Sequence, residues 1–457
     1  MRKVIILLIT SFSLSLLATG CGQTSQPDFA IEPFPMEAIS TETTPSGAAS
    51  FEELSPDTIS SEAISSEAIF SEAISSKATS SEVLPSDAAS DENQATGSET
   101  SDDVTWEKKS QGAPKEISLL MVGDILLHMP VEKSARREDG SYSYDAIFSK
   151  TKDLIQAADL ALVNQEVILG GTELGISGYP AFNAPYEVGD DLVEAGFDVI
   201  CHATNHALDK GKKGVTNCLD FWKTSYPEIT VLGLHDNPDD PLYIFEKDGI
   251  KIAFLNYTYG TNGIPLPEDM PYAVDLLNKS KVVSDIQYAE SVADFTVVCP
   301  HWGTEYRLTA DASQEKWTKI FLENGVDLVL GTHPHVIEPV ELFTDEETGH
   351  SMLVYYSLGN YVNWTSSSGD GVANRMVGGM AQVTLARSED GDVTISDYGV
   401  TALVCHLTSG QDGVTVLPLS SYNEELAAEN EIRRQDPGFS YSYCTELCDL
   451  VWGDLWN

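Results

Sequence analysis

The stretch Val326-Asp327-Leu328-Val329-Leu330-Gly331-Thr332-His333-Pro334-His335 decides the reading of this chain. A short apolar run stops at a glycine, and two imidazoles one residue apart follow on a turn. The pattern recurs. Ile117–Val122 leads to Gly123-Asp124, Leu160–Val163 to Asn164-Gln165-Glu166, and Phe197–Cys201 to Thr204-Asn205-His206 with Asp209. Phe295–Cys299 leads to His301-Trp302-Gly303-Thr304-Glu305, and Met352–Tyr356 to Ser357-Leu358-Gly359-Asn360. In an α/β fold, residues just past the strand ends converge on one rim of the sheet. The chain is therefore expected to gather carboxylates, an Asn-His pair, a single His and a His-x-His at one place. That mixture of hard and borderline ligands suits one or two divalent metal ions.

Working outward, the apolar runs alternate with stretches of helical pattern, which indicates α/β architecture. Helices are expected over Tyr144–Ala158, Val188–Ala195, Asn278–Ala293 and Ser313–Asn324, and a further strand over Ile250–Tyr257. Met380–Leu385, Val393–Ile395 and Val400–Cys405 read as a closing run of strands. The folded domain is placed at 115–407. An acidic extension, 408–457, follows with no role assigned to it; Asn423–Arg434 reads as helical within it.

Each polar cluster has a bland reading beside the chemical one. Asp124 suits a ligand or a base, or it caps the next helix. His128 backs up Asp124 or sits in the loop. Glu166 ends a buried strand and needs a partner for its charge, which a bridging metal, an arginine or backbone amides can each provide. Asn205 offers a neutral oxygen ligand, and His206 has the proton affinity of an acid near neutral pH, unless the pair is only a turn. Glu305 can orient His301 from behind. His202 reads as a satisfied strand-end histidine, and Asn360 as part of a tight turn before it reads as a lining residue.

Taken in order, these motifs resemble the bacterial capsule synthesis family called CapA, the poly-γ-glutamate capsule proteins. The matching residues are Gly123-Asp124, Asn164-x-Glu166, Asn205-His206-x-x-Asp209, His301-Trp302-Gly303-x-Glu305-Tyr306, Gly331-x-His333-Pro334-His335-Val336 and Tyr356-Ser357-Leu358-Gly359-Asn360. They cover roughly 116–407. That family is similar to the calcineurin-like metallophosphoesterases, and the resemblance implies a double-sheet sandwich flanked by helices. It also implies two divalent ions, of manganese, zinc or iron. Glu166 resembles the bridging carboxylate, Asp124 and His335 ligands of one ion, and Asn205, His301 and His333 ligands of the other. His206 resembles the acid that protonates the leaving group, with Asp209 in the same catalytic motif. His128, Asn164, Glu305 and Asn360 fall behind or beside these ligands. Phosphoesterases of this kind usually open with Asp-x-His, whereas Ile125-Leu126 follow Asp124 here. Thr204 stands where a second Asn is usual.

Composition sets the setting. The chain has 457 residues and a formal charge of −45, with a pI near 4.2. Such acidity argues against nucleic-acid binding. Arg2 and Lys3 followed by the apolar stretch Val4–Leu17 form a targeting segment, 1–20, and Ala18-Thr19-Gly20-Cys21 resembles a bacterial lipobox. Cys21 is thus the expected lipidation site, holding the protein on the outer face of the cell membrane. The segment 21–114 has a five-residue rhythm, as in Ser61-Glu62-Ala63-Ile64-Ser65, which fits neither helix nor strand. It reads as a disordered acidic tether. Of the remaining cysteines, Cys201 and Cys299 read as buried thiols, while Cys444 and Cys448 are spaced so that pairing stays open.

Two functions follow. One is a lipid-anchored, metal-dependent hydrolase of phosphoesters in the cell envelope. The other is an export or assembly factor that binds capsule polymer, or the membrane proteins of a poly-γ-glutamate synthase, without catalysis.

Overall fold

The computed structural model describes residues 116–364, 366–408 and 413–456. The segments expected to be a targeting sequence (1–20), a lipidation site (Cys21) and a tether (21–114) lie outside the described residues.

In chain order the first strands are β1 (Glu116–Ile125), β2 (Leu160–Asn164), β3 (Val199–Cys201), β4 (Thr230–Leu232), β5 (Tyr243–Lys247), β6 (Ile250–Thr258) and β7 (Phe295–His301). They are followed by β8 (Leu328–Leu330), β9 (Val340–Thr344), β10 (Ser351–Tyr355), β11 (Asn360–Val362), β12 (Val377–Arg387), β13 (Val393–Leu407) and β14 (Val414–Pro418). The helices are α1 (Met129–Ala135), α2 (Asp145–Phe148), α3 (Lys152–Ala157), α4 (Glu187–Ala195), α5 (Gly211–Ser225), α6 (Lys279–Val292), α7 (Ala312–Glu323), α8 (Glu424–Glu429) and α9 (Tyr441–Trp452).

The strands form two sheets. One has eight strands in the order β14-β13-β12-β1-β2-β3-β4, with β11 also on β1, and the other has six in the order β5-β6-β7-β8-β10-β9. Each sheet holds a run of four parallel strands: β1, β2, β3 and β4 in one, and β6, β7, β8 and β10 in the other. Period-two alternation assigns the faces. On β6, Ile252 and Phe254 pack toward the first sheet, while Ala253, Leu255 and Tyr257 pack on the opposite side with Val282 and Ile286 of α6 and Trp317 and Phe321 of α7. Val188 and Leu192 of α4 and Leu219 and Trp222 of α5 join the core of the first sheet. The result is the helix-flanked double-sheet sandwich expected from the sequence.

Three expected elements differ in detail, each for a local reason. Tyr144–Ala158 is two short helices, because the Thr151 hydroxyl turns back to the Phe148 carbonyl at 3.1 Å and meets the Tyr361 hydroxyl at 2.5 Å. Val393–Ile395 and Val400–Cys405 are one strand, β13, which absorbs a register shift opposite Thr384 and Leu385. Asn423–Arg434 is interrupted at Asn430, whose side chain accepts from the Ile432 amide and donates to the Cys405 carbonyl.

The folded body continues past Leu407. β14 pairs with β13, Trp452 of α9 donates its indole N–H to the Glu338 carbonyl at 3.0 Å, and its ring lies against Gly379 of β12. All six described cysteines are buried free thiols, Cys444 and Cys448 included.

Glu132 on α1 is buried, with the Tyr144 hydroxyl on one oxygen at 2.5 Å and no hydrogen bond on the other. Burial pushes its carboxyl up to about 8. A carboxyl with a raised folded pKa ionises first in the unfolded chain, so stability falls as pH rises from about 4.3 toward 8. Glu132→Gln preserves an acceptor for Tyr144 and removes that dependence. Thermal melts should show little change near pH 5 and a higher melting temperature for the variant near pH 8; an equal shift at both would contradict a protonated Glu132.

Candidate metal centre

The carboxyl ends of both parallel runs meet at one rim. β1 delivers Asp124, β2 delivers Asn164 with Glu166 just beyond it, and β3 leads into Asn205 and His206. From the second sheet, β7 delivers His301, and the turn after β8 delivers His333 and His335. β11 runs parallel to β1 with Asn360 in register with Asp124. The strands approach closely here: a Cβ on Gly123 would lie 1.9 Å from the Gly359 carbonyl oxygen. The turn carrying the two histidines is strained, with φ of 99° at His333 and 59° at His335.

Glu166 is fully buried, and neither of its carboxylate oxygens has a hydrogen-bond partner. Its Oε1 faces His335 Nε2 at 3.6 Å, His301 Nε2 at 3.8 Å and His206 Nε2 at 3.9 Å, too far for hydrogen bonds. Glu166, His333 and His335 bring donor atoms within 4.8 Å of one another, and Nδ1 of His333 is also without a partner. His301 Nε2 and Asn205 Oδ1 face each other at 3.0 Å. A buried carboxylate with two bare oxygens among imidazoles is what a divalent cation compensates. The residues present therefore fit a metal centre.

The supporting contacts orient this set. Asp124 takes the Asn164 amide on Oδ1 at 2.8 Å, and the His335 ring Nδ1 and the His333 backbone amide on Oδ2 at 3.1 and 3.3 Å. His335 Nδ1 also meets Asn360 Oδ1 at 3.1 Å, so Nδ1 carries the proton and Nε2 turns to Glu166. Asp209 receives the His206 ring Nδ1 at 2.6 Å and the Phe182 amide at 2.7 Å, which turns His206 Nε2 toward the centre. Electrostatics follow from the dry setting. Burial holds Glu166 up and His301 and His333 down. Burial also pushes His335 down, but the Glu166 and Asp124 carboxylates outweigh it and lift the imidazole to about 9.

The structure thus brings together Asp124, Asn164, Glu166, Asn205, His206, Asp209, His301, His333, His335 and Asn360. Glu305 is exposed, and the side chains at His301 Nδ1 are instead the Thr332 hydroxyl at 3.1 Å and the Asn164 amide at 3.3 Å. His128 precedes α1 and packs its ring edge-on to Phe182 at 5.2 Å rather than standing behind Asp124. Ile125 and Leu126, which follow Asp124, are buried core residues. His202 is buried beneath the centre, accepting from the Trp222 indole at 3.3 Å.

Several neighbours were not legible in the sequence. Asn262, from the loop after β6, lies 3.4 Å from both the Asn205 amide and His206 Nδ1. Tyr259 meets His333 at a tilt with ring centroids 4.6 Å apart, Phe182 meets His206 edge-on at 4.6 Å, and Tyr306 lies 6.1 Å from His335. Aromatic residues in loops carry no spacing signal, although Tyr306 does fall inside the His301 motif.

This arrangement, a helix-flanked two-sheet sandwich with a buried carboxylate-imidazole cluster at the strand ends, defines the class of protein. The description "Bacterial capsule synthesis protein PGA_cap" matches residues 118–365, and the chain belongs to that family. It is 26% identical over 287 residues to "Capsule biosynthesis protein CapA" of Bacillus anthracis, covering 57% of this chain and 66% of that protein. It is 27% identical over 256 residues to "PGA biosynthesis protein CapA" of Bacillus subtilis (strain 168), covering 54% of this chain and 64% of that protein. The chain thus spans slightly less than two thirds of each of these relatives. Among solved structures, the Haemophilus influenzae NAD nucleotidase is similar at 14% identity with a TM-score of 0.42, covering 76% of this chain and 64% of that one.

Replacing Glu166 by Gln removes the negative charge at the middle of the set while keeping its shape. The wild-type protein should gain melting temperature when manganese or zinc is added, because a ligand bound only by the folded state stabilises it. Glu166→Gln should lose that gain and its bound metal by elemental analysis; retention of both would remove Glu166 from the ligand set.

Proposed function

We propose that this chain is a metal-dependent hydrolase of phosphoesters, held at the bacterial cell envelope and serving capsule or poly-γ-glutamate synthesis. The observation that carries the reading is the bare, fully buried carboxylate of Glu166 facing three imidazoles. The capsule and PGA assignments in the names of the two relatives support the setting.

Asp124 and His335 would hold one side of the centre and Asn205, His301 and His333 the other, with Glu166 between them. Divalent ions in such a set supply an activated water and positive charge on a phosphoryl oxygen. The chain's own groups do the rest. His206, fixed by Asp209 through Nδ1, presents Nε2 as the proton donor for the leaving oxygen. Asp209 keeps the ring from turning. Phe182 packs against the ring and shields it from water.

A second reading rests on Asp124. Both its oxygens already take hydrogen bonds from Asn164, His335 and the His333 amide, and Ile125 and Leu126 fill the core where a histidine ligand would be usual. That favours a smaller metal site and a binding role in capsule polymer assembly with membrane partner proteins.

Removing the proton donor tests the first reading. His206→Ala should keep its metal yet lose turnover by roughly 10²–10⁴-fold, and the loss should shrink for aryl phosphoesters whose leaving groups need no proton. Elemental analysis with phosphomonoester and phosphodiester kinetics reads both. Wild-type protein that takes up metal but turns over neither ester class would favour the assembly role.

Anchoring is proposed through Cys21. Cells fed a fatty-acid analogue should label the wild-type protein, and stable retention calls for more than one acyl chain. Cys21→Ser should abolish label and membrane retention together; a variant that keeps both would end the lipoprotein reading.

A further inference from the structure

The two sides of the centre are finished differently. His333 meets the ring of Tyr259 at a tilt, with ring centroids 4.6 Å apart. On the His335 side, Arg375 lies over the Tyr306 ring, its guanidinium carbon 3.6 Å from the ring centroid. Tyr306 is nearly half exposed, and Arg375 is partly buried.

Both members of this stack are tied to the metal-ligand turn. The Tyr306 amide donates to the Pro334 carbonyl at 2.7 Å, between the two histidines, and Tyr306 takes a left-handed φ of 67° to do so. The Arg375 carbonyl accepts from the Asn360 side-chain amide at 3.1 Å. That same amide donates to the His335 carbonyl, while its oxygen meets His335 Nδ1. A strained backbone at one member and a side-chain relay to the other locate the guanidinium relative to His335. Arg375 also stands close enough for its charge to act on His128, which completes this rim.

Arg375 Nη1 donates to the Ser367 hydroxyl at 3.4 Å, and a stacked guanidinium keeps its several N–H donors in one plane, where they can also receive an oxyanion. Glu305 acts on the Tyr306 hydroxyl, and Asp124 and Glu166 lie within the centre, so the guanidinium adds positive charge beside carboxylates.

We propose that Arg375, laid on Tyr306 and fixed through Asn360 to His335, is a specificity-determining residue that binds a second oxyanion, carboxylate or phosphoryl, of the substrate beside the group held at the metal centre. The inference rests on the phosphoester reading and narrows it. The substrate carries at least two anionic groups, with the distal one on the His335 side and the leaving oxygen on the His206 side.

The test uses the full-length, metal-loaded protein and probes that are not hydrolysed. Phenylphosphonate, 4-carboxyphenylphosphonate, 1,4-phenylenebisphosphonate and terephthalate are titrated calorimetrically. The second anionic group should tighten binding about tenfold over phenylphosphonate, the scale of one charge-assisted pair, and the gain should weaken with salt. The better of the two doubly anionic phosphonates identifies the oxyanion. Arg375→Ala should abolish the gain while leaving phenylphosphonate affinity unchanged, and Arg375→Lys should restore only part of it. Tyr306→Leu, which removes the stacking face, should cut the gain without abolishing metal binding. An equal loss for all probes in Arg375→Ala, or no wild-type gain from the second charge, overturns the subsite and leaves the phosphoester reading standing. Terephthalate binding that depends on Arg375, with no binding of any phosphonate, keeps an oxyanion site and removes the phosphoester reading. Binding of none of the four probes overturns both.

Discussion

Everything at the rim depends on one unfavourable burial. Glu166 sits at the end of a dry strand with no donor within hydrogen-bond reach of either oxygen. An isolated carboxylate there would cost several kcal/mol, even after the protein relaxes around it. The neighbouring side chains are arranged as though the cost will be met from outside the chain. The rings of His335, His301 and His206 each turn Nε2 toward the same oxygen, and each has its other nitrogen occupied. The set is held in waiting by hydrogen bonds that leave Nε2 of His335 and His206 facing Glu166, while His301 Nε2 also meets Asn205 Oδ1.

The backbone serves the same end. His333, His335 and Tyr306 all have positive φ, a conformation costing a non-glycine residue on the order of 1 kcal/mol or more. Around them the strands crowd at Gly123 and Gly331, where an added methyl would run into the carbonyls of Gly359 and Tyr356. Strain at the turn and close contact behind it go together: the tight packing of β11 on β1 brings Asn360 near enough to hold His335.

How much of this the sequence disclosed depends on the kind of signal. Strands with apolar runs and polar ends, such as Ile117–Val122 before Asp124, state their own burial and direction, so the ligand-bearing rim could be read without coordinates. Short edge strands such as β5 and β9 are only partly buried, and their mixed composition gave no such pattern. The partner of His301 was misread because Glu305 is close in sequence, whereas Thr332 arrives from the neighbouring strand through a bridge between His301 and Thr332. Arg375 and Asn262 were invisible for the same reason. Their place at the site comes from long-range packing, and nothing in their immediate neighbours announces it. The role of 408–457 was hidden because β14 and Trp452 are defined by the surfaces they cover, which lie far back in the chain.

The centre is also a seam. His335 and Asp124 are 211 residues apart in the chain, and His301 and Asn205 are 96 apart and belong to different sheets. Contacts of such separation form late, after the entropy of closing long loops has been met by other interactions. The candidate ligand set is complete only when the two sheets have docked. A cation bound there would act on the finished sandwich as a rivet between the halves, and its chief kinetic effect would be to slow their separation.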